Sequence, residues 1–584
     1  MNISRTSRVW FFAAFWAIML GSASCVEIDE TLGENFIPTD QIWDVYPCES
    51  QTLTQITMRN SDKLSGYSTS RFTFGAVKDE NFVTRKMTSF TLVPLDKNVD
   101  FGKSVNGYPK VTQFHLSAVR DTLSMVFDNQ ERILQNVYVQ SLKAPLDSNV
   151  LYTDTQLQTN ETIISLGIPV YDGGDSLSFD FSIEYANSVI KGIQDFQSEE
   201  TEETDSLNHY LKHVPGIVLS TDPQVEVGGR INMFNLPIEV ESGYVTGNFA
   251  ELKIKGMYDY SEEPVDTSFL FYFGPSDFLK DDDTSYPQQY AFNTNESEII
   301  GKSYEDFISS WNGENIYIEG GSGLKPVIKA KEIKSIVSRL LKETKATEGH
   351  ENIDTNTVVI NKATIVLPFN VGTDYEVLDK YPMILSPTVR LVSESDEDGE
   401  TLYTYAGLTD SSIESENQGD INRSLFMYCP DVSHHVQEIA NLKQEEGESD
   451  VDFAARIDKY DIWMLIMHEE TVETSTDTSY DDYYNNLMYN SYYNNMMYDP
   501  YGYGYGYGYG YGGYGGYGYD SYGYNNYYNY YMMAAYASAS SSSSTSSSIE
   551  LDKDRFYNAK LNGPDSTGDK PALKITFSAL REAE

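Results

Sequence analysis

Hydrophobic residues along this chain alternate with polar ones over many short segments. Most of these segments are rich in β-branched and aromatic residues and end at Gly, Pro, Asn or Asp, which is typical of β-strands. The helical period of 3.6 residues is scarce; we expect one short amphipathic helix at residues 186–190 and another at 435–439. The pattern therefore predicts an all-β protein with mainly antiparallel sheets and few short helices.

The strand signals occur twice in the same order, which indicates an internal duplication. Phe114 of the string FHLSAV corresponds to Ile360 of INKATI, and three further pairs of strings keep the same spacing to within one position. The last pair, AELKIKGM with Leu252 and PALKITFS with Leu573, is further apart, so the second copy carries an insertion. Chance repetition of apolar strings is the alternative, but the matching order favours duplication.

Each copy holds enough strand signals for a sandwich, in which two antiparallel sheets enclose a core about 10 Å thick. We predict two tandem duplicated jelly-roll-like β-sandwich domains, the first at residues 51–290 and the second at 300–584. A tract rich in Tyr, Gly, Asn and Ser interrupts the second domain at 473–548 and accounts for its extra length. Alternating Gly and runs of Ser predict disorder there. The tract is either a tolerated loop expansion or an adhesive aromatic surface.

The N-terminus has the features of a lipoprotein signal peptide. Two arginines precede the apolar run Val9–Leu20, which is much shorter than the roughly 20 residues that a spanning helix needs. Small residues follow and lead to Cys25. We predict a signal peptide over residues 1–24 and acylation of Cys25 by chains such as palmitate. Ordinary secretion with cleavage near Ala23 is the alternative.

The residues after this cysteine, 25–50, are predicted to form an acidic tether. The string VEIDE within it resembles the acidic export tags that send Bacteroidota lipoproteins to the outer face of the outer membrane. The whole chain is also acidic, with 88 acidic against 41 basic side chains and a formal net charge of −47. Such a charge repels nucleic-acid phosphates and anionic lipid. We therefore expect no nucleic-acid partner, and membrane attachment through the lipid anchor.

Few residues suggest covalent or metal chemistry. Cys48 and Cys429 could form a disulfide in an oxidising compartment, or remain two separate buried thiols. The seven histidines include no H-E-x-x-H spacing, and we assign the pair His434–His435 to helix packing. No nucleophile elbow, phosphate loop or dinucleotide fingerprint stands between a strand and a helix. We therefore predict no catalytic residue, no metal site and no cofactor.

Several longer strings resemble a known family. These strings are LGENFIPTDQIWDV, FTFGAVKDENF, LKHVPGIVLSTD followed by GRINMFNL, NIYIEGGSGLKPVIK, INKATIVLPF and YPMILSP. In this order they are similar to the Bacteroidota lipoproteins of domain of unknown function 4270. The resemblance spans nearly the whole mature chain except the tyrosine-rich tract. It implies an envelope lipoprotein and brings no catalytic residues with it.

Three functions follow as hypotheses. The first is a non-catalytic, lipid-anchored outer-membrane protein that faces the cell exterior and acts as an interaction or scaffolding partner of an outer-membrane β-barrel complex. The second is a glycan-binding adhesin, suggested by the sandwich architecture and the many tyrosines. The third is a glycoside-active enzyme that uses two facing carboxylates, which cannot be located among so many acidic residues.

Overall fold

The computed structural model describes residues 43–581 with gaps, the longest of which are 122–132, 273–290 and 474–544. The described chain is mostly strand, arranged in several antiparallel sheets with few helices. The predicted all-β class is confirmed. Two units can be distinguished, each with its own hydrophobic core.

The elements follow one another in this order. Three short strands come first: β1 (Trp43–Pro47), β2 (Gln51–Thr52) and β3 (Ile56–Asn60). The first unit contains β4 (Tyr67–Ser68), β5 (Arg71–Lys78), β6 (Phe82–Phe90), β7 (Val93–Pro94), β8 (Lys110–Val119), β9 (Gln135–Asn136), β10 (Tyr138–Ser141), β11 (Val170–Tyr171), β12 (Ser176–Asp180), α1 (Ile183–Ser198), α2 (Ser206–His213), β13 (Ile217–Ser220), β14 (Gly228–Asn235), β15 (Ile238–Glu241), β16 (Tyr244–Gly247), β17 (Phe249–Gly256), β18 (Val265–Tyr272) and β19 (Ala291–Ile299). The second unit contains α3 (Tyr304–Ser309), β20 (Asn315–Glu319), β21 (Leu324–Ile328), α4 (Ala330–Lys345), β22 (Ile353–Pro368), a 3-10 turn (Tyr375–Lys380), β23 (Ile384–Glu394), β24 (Thr401–Gly407), β25 (Ile421–Asn422), β26 (Met427–Tyr428), α5 (Ser433–Asn441), α6 (Asp450–Asp458), β27 (Ile462–Glu473), β28 (Thr545–Leu551), β29 (Asn558–Asn562) and β30 (Ala572–Arg581).

The two units share one strand order. The first unit has the sheets β12-β8-β17-β18-β7 and β10-β13-β6-β19-β4, and β5 joins β6 to β14. The second unit has β25-β26-β22-β30-β1 and β24-β23-β27-β21-β3, and β20 pairs with β29. Helices α1 and α2 precede β13 just as α5 and α6 precede β27. The equivalent elements occur in the same order along the chain, which supports the predicted duplication.

The strands that complete each unit come from the other copy of the duplication. β1 pairs with β30 in the second unit, and the equivalent pair in the first unit is β18 with β17. Likewise, β3 pairs with β21 in the second unit, and the equivalent pair in the first unit is β19 with β6. The strands β1–β3 thus precede the first unit in the chain but belong to the second. We call them the closing strands.

Side chains of β3 and of the segment that leads into it are part of the second core. Leu53, Ile56 and Met58 are at most 1% exposed and pack within that core. Glu332, in the first turn of α4, accepts hydrogen bonds from the backbone N–H of Thr54 at 2.6 Å and of Gln55 at 2.8 Å. Because a buried carboxylate needs such partners, this contact fixes the segment between β2 and β3 on α4.

Three predicted boundaries differ from the structure. The range 25–50 was predicted as an acidic tether, but its residues 43–47 form β1, which pairs with β30 of the second unit. The range 51–290 was predicted as the first sandwich, but its beginning includes β2 and β3, which pair with strands of the second unit. The tract 473–548 was predicted as disordered, yet Thr545–Ser548 belong to β28 and pair with residues 470–473 of β27. The remainder, 474–544, lies outside the described residues.

The residue-by-residue alignment of the copies also needs correction. Leu252 of β17 pairs with Phe114 of β8, whereas Leu573 of β30 pairs with Ile365 of β22. If Leu252 corresponds to Leu573, then Phe114 corresponds to Ile365 and not to Ile360. The predicted match was wrong because apolar alternation in a strand fits several registers equally well.

Helix α4 is an element that the strand pattern did not predict. Its N-terminus is fixed by Asp461, whose carboxylate accepts a hydrogen bond from the Ala330 N–H at 3.0 Å. Its apolar positions recur at helical spacing, so that one face enters the second core. That face consists of Ile333, Ile336, Val337, Leu340 and Leu341.

We expect the tyrosine-rich tract to be dispensable for folding. Glu473 and Thr545 are directly paired in the hairpin of β27 and β28. A two-residue Asn-Gly turn could therefore replace residues 474–544. A shorter loop costs less closure entropy, so the free energy of unfolding should stay equal or rise by up to about 3 kcal/mol. Thermal unfolding of the shortened chain measures this, and failure to fold would show that the tract has a structural role.

Candidate functional site

The structure describes only one of the three cysteines that the sequence analysis named as candidate site residues. Cys25 and Cys48 lie outside the described residues, so the lipidation site stays a prediction. Among the residues that the structure describes, Cys429 forms no disulfide, and burial raises the pKa of its thiol. Because Cys48 lies outside those residues, a disulfide between Cys48 and Cys429 stays a prediction.

The contact between the two units is rich in buried polar groups. We call this contact the polar seam. The Gly-rich turn between β20 and β21 and the segment between β28 and β29 face the sheet of β6 and β19 there. The seam residues are Lys86, Asn293, Asn295 and Ser297 of the first unit, and Glu319, Ser322, Lys325, Asp552 and Asp554 of the second.

Lys86 reaches from the first unit into the second. Its ammonium is buried and donates hydrogen bonds of 2.6 Å to the backbone carbonyls of Lys553 and Asp554. Burial lowers its pKa to about 8, although the nearby carboxylate of Asp554 opposes the shift. In the reverse direction, Lys553 donates to the carbonyl of Tyr67 in β4. Both lysines therefore join the units through backbone acceptors.

Glu319 and Lys325 form a buried pair on the two strands that flank the Gly-rich turn. The Lys325 ammonium donates to the carbonyls of Glu319, Gly321 and Gly323. The Glu319 carboxylate accepts a hydrogen bond of 3.0 Å from Ser297, on β19 of the first unit. Burial raises the pKa of Glu319 and lowers the pKa of Lys325. The pair thus links the turn to the first unit.

Removing Lys86 should change how stability depends on pH. Its pKa in the folded protein is below the ordinary value of 10.5, so the unfolded chain binds more protons between pH 8 and 10.5. The contribution of Lys86 to stability therefore rises with pH in this window. The stability of wild type relative to Lys86→Met should increase by up to about 1.4 kcal/mol per pH unit. Denaturant unfolding from pH 7.5 to 10 tests this, and parallel profiles would contradict it.

Perturbed ionisable groups are frequent at active sites, but this seam is closed. The gap beside Glu319, bounded by Phe82, Phe556 and Tyr557, holds no space that a water molecule could occupy. Asp552 accepts a hydrogen bond of 2.7 Å from the Tyr557 hydroxyl and is also satisfied. The hydrogen bonds of these groups hold the two units together.

A surface series of Ser178, His115 and Asp180 was missed by the sequence analysis. Ser178 Oγ lies 3.0 Å from His115 Nε2, and His115 Nδ1 lies 2.8 Å from Asp180 Oδ1, the order found in serine hydrolases. Asp180 faces His115 across the ladder of β8 and β12, and Ser178 lies two residues earlier on the same face. Strand N–H groups lie in the plane of the sheet, so those of β12 do not point towards this face as oxyanion donors. We interpret the series as a cross-strand network.

A second missed cluster contains ligands suited to a metal ion. Glu199, His209 and His213 lie together at the end of the pair α1–α2, and their ligand atoms are all within 4.8 Å of one another. The prediction of no metal site was based on the missing H-E-x-x-H spacing. His209 and His213 are four residues apart, which places them on one helix face. That spacing was visible in the sequence, but the contribution of Glu199 was not.

Two other surface features stand out in the described chain. An open groove of about 320 Å³ lies between α4 and α6, and its walls include Lys331, Lys334 and Phe453. The rings of Tyr258 and Tyr260 are stacked with centroids 5.1 Å apart, and Tyr260 is 76% exposed. The outer ring of this pair presents a flat aromatic face to solvent.

Comparison with protein-family models, with curated proteins and with solved structures found no match to this chain. The resemblance to the lipoproteins of domain of unknown function 4270 therefore stays a prediction. Among the described helices, none is both long and apolar enough to cross a bilayer.

Proposed function

We propose that this chain is a lipid-anchored outer-membrane protein of the kind found in Bacteroidota, that it faces the cell exterior, and that it acts as a non-catalytic interaction or scaffolding component. Its proposed partner is an outer-membrane β-barrel complex. The observation that supports this most is the integration of the closing strands into the second unit. They connect the proposed anchor directly to a folded sandwich.

The distance between anchor and body is limited. Only the segment 26–42 separates Cys25 from Trp43, the first residue of β1. Fully extended, this segment reaches about 60 Å at most. The body therefore stays near the membrane, and the second unit is the one that the tether holds. Because the polar seam joins the units, the first unit is held as well.

The surface charge supports a protein partner rather than direct contact with lipid. At a net charge of −47, the body is repelled by anionic membrane surfaces. An acidic body on a short tether is suited to contacts with membrane-embedded proteins. The resemblance to envelope lipoproteins agrees with this proposal.

The proposal is tested by affinity purification from detergent-solubilised outer membranes. Full-length tagged protein should recover a β-barrel membrane protein in a fixed ratio, and the Cys25→Ala variant should recover much less of it because it is no longer concentrated at the membrane. Recovery of the tagged chain alone, under detergents that preserve other envelope complexes, would contradict a scaffolding role.

The stacked pair Tyr258–Tyr260 favours one second candidate, a glycan-binding adhesin. An exposed aromatic face stacks on the apolar face of a sugar ring, and a buried second ring holds it in place. Binding of glycans on an array that is lost in Tyr260→Ala, and kept in the chain without residues 474–544, would favour the adhesin and locate its site in the first unit.

A further inference from the structure

The cluster of Glu199, His209 and His213 consists of two helix-borne imidazoles and one carboxylate that converge from two helices. Glu199 caps the C-terminus of α1, and both histidines lie on α2. The Glu199 Oε2 atom lies 3.2 Å from His213 Nε2 and 3.6 Å from His209 Nε2. A carboxylate oxygen therefore lies between two ring nitrogens.

These distances match the needs of a tetrahedral ion. Zinc binds imidazole nitrogen at about 2.0–2.1 Å and carboxylate oxygen at a similar distance, so neighbouring ligand atoms are about 3.3 Å apart. Two of the three edges already have nearly this length. The remaining edge, between the two imidazoles, is within 4.8 Å.

The surroundings hold the ligands in place but leave one side open. The side chain of His209 is 8% exposed and its ring packs on Phe196 at a centroid distance of 5.1 Å. The side chain of His213 is 17% exposed and that of Glu199 is 53% exposed. Two protein-fixed imidazoles and an accessible carboxylate leave a fourth position for water or for a donor from a partner.

The second unit supplies an internal comparison. Its equivalent helix, α6, has the sequence DVDFAARID and contains no histidine. The duplicated fold therefore does not itself require histidines at this place.

We propose that Glu199, His209 and His213 bind one divalent transition-metal ion of the zinc type, which joins the C-terminus of α1 to the end of α2. Neutral imidazole and carboxylate suit zinc, cobalt or nickel, whereas magnesium and calcium prefer oxygen ligands alone. Metal binding connects α1 directly to α2, in addition to the covalent link through residues 200–205. The bound ion stabilises this corner of the first unit.

The test is a zinc titration of the full mature chain in excess Mg²⁺, which occupies the many surface carboxylates. Wild type should bind one Zn²⁺, and Zn²⁺ should raise its Tm. His213→Gln and Glu199→Gln should each lower the affinity at least tenfold and remove the rise in Tm. His434→Gln, at an exposed histidine on α5, is the matched control and should behave as wild type.

Cobalt provides a second measurement that does not depend on stability. Co²⁺ bound by wild type should give the intense visible absorption of a four-coordinate site, and His213→Gln should lack it. Metal-free melting of each variant first establishes that it is folded. Equal zinc affinity in wild type, His213→Gln and Glu199→Gln, or loss of binding in His434→Gln, would overturn the proposal.

Discussion

Replacing Ile56 by aspartate should unfold the second unit and leave the first one folded. Ile56 is 1% exposed in β3 and packs in the second core, although the first unit follows it directly in the chain. An aspartate there loses apolar burial and places a carboxylate among apolar groups. The expected loss is about 4 kcal/mol or more from the second unit.

Hydrogen exchange locates the damage. In Ile56→Asp, amide protection should fall in β21 and β30 and persist in β6 and β17. The matched control is Phe271→Asp. Phe271 is fully buried in the first core, and its strand β18 is the equivalent of β1 in the second unit. It should give the reverse pattern. Loss of protection in the first unit alone for Ile56→Asp would mean that the closing strands are not exchanged.

Replacing Lys325 by methionine should also cost much stability, about 3–5 kcal/mol. Lys325 is 1% exposed, and its ammonium donates to the carbonyls of Glu319, Gly321 and Gly323. Without the Lys325 ammonium, the three buried carbonyls lose their hydrogen-bond donor. The buried Glu319 carboxylate also loses the positive charge that compensates its own. Breaking one side of a buried pair costs more than the pair contributes, because the remaining charge is uncompensated.

A double-mutant cycle separates this coupling from simple loss of packing. Glu319→Gln keeps an acceptor for the Leu324 N–H, which donates to this side chain at 3.0 Å, but removes the charge. The double variant Glu319→Gln/Lys325→Met should therefore be more stable than the sum of the single losses predicts, by at least about 1 kcal/mol. Urea unfolding of the four proteins gives the coupling energy, and strict additivity would show that the two side chains act independently.

The all-β class and the duplicated order of elements could be predicted because both depend on local pattern. The alternation of apolar and polar residues indicates each strand separately. The spacing of apolar residues at 186–190 and 435–439 predicted the two short helices. Helix α1 extends beyond the predicted residues at both ends, from Ile183 to Ser198, and its start is fixed by Ser182, whose hydroxyl accepts from the Tyr185 N–H. Such a cap adds little to the hydrophobic pattern.

The strand exchange could not be predicted because it depends on long-range pairing. Nothing in the string from Trp43 to Asn60 says that its partners lie beyond the whole first unit rather than within it. The pairing is accompanied by contacts such as that of Glu332 with Thr54 and Gln55, which the linear sequence does not reveal.

The candidate sites were missed for a related reason. Lys86, Glu319 and Lys325 have the sequence context of ordinary surface residues in strands, and their burial results from the docking of the two units. The histidines of α2 do carry a sequence signal, but Glu199 joins them only through the packing of α1 against α2.

The exchange has a consequence for folding. The closing strands are synthesised before the first unit and β30 after the other strands of the second unit, so the second unit cannot be completed until β30 is available. Pairing of such distant segments is slow because loop closure comes before the contacts that reward it.

We propose that the chain is held at the envelope by an acylated Cys25 through the closing strands. The most direct measurement is membrane fractionation of cells that produce wild type, Cys25→Ala and the control Cys48→Ala, with a wash at high salt and high pH. We predict that wild type and Cys48→Ala stay in the membrane pellet and that Cys25→Ala becomes soluble. A Cys25→Ala protein that remains in the washed membrane would contradict the account.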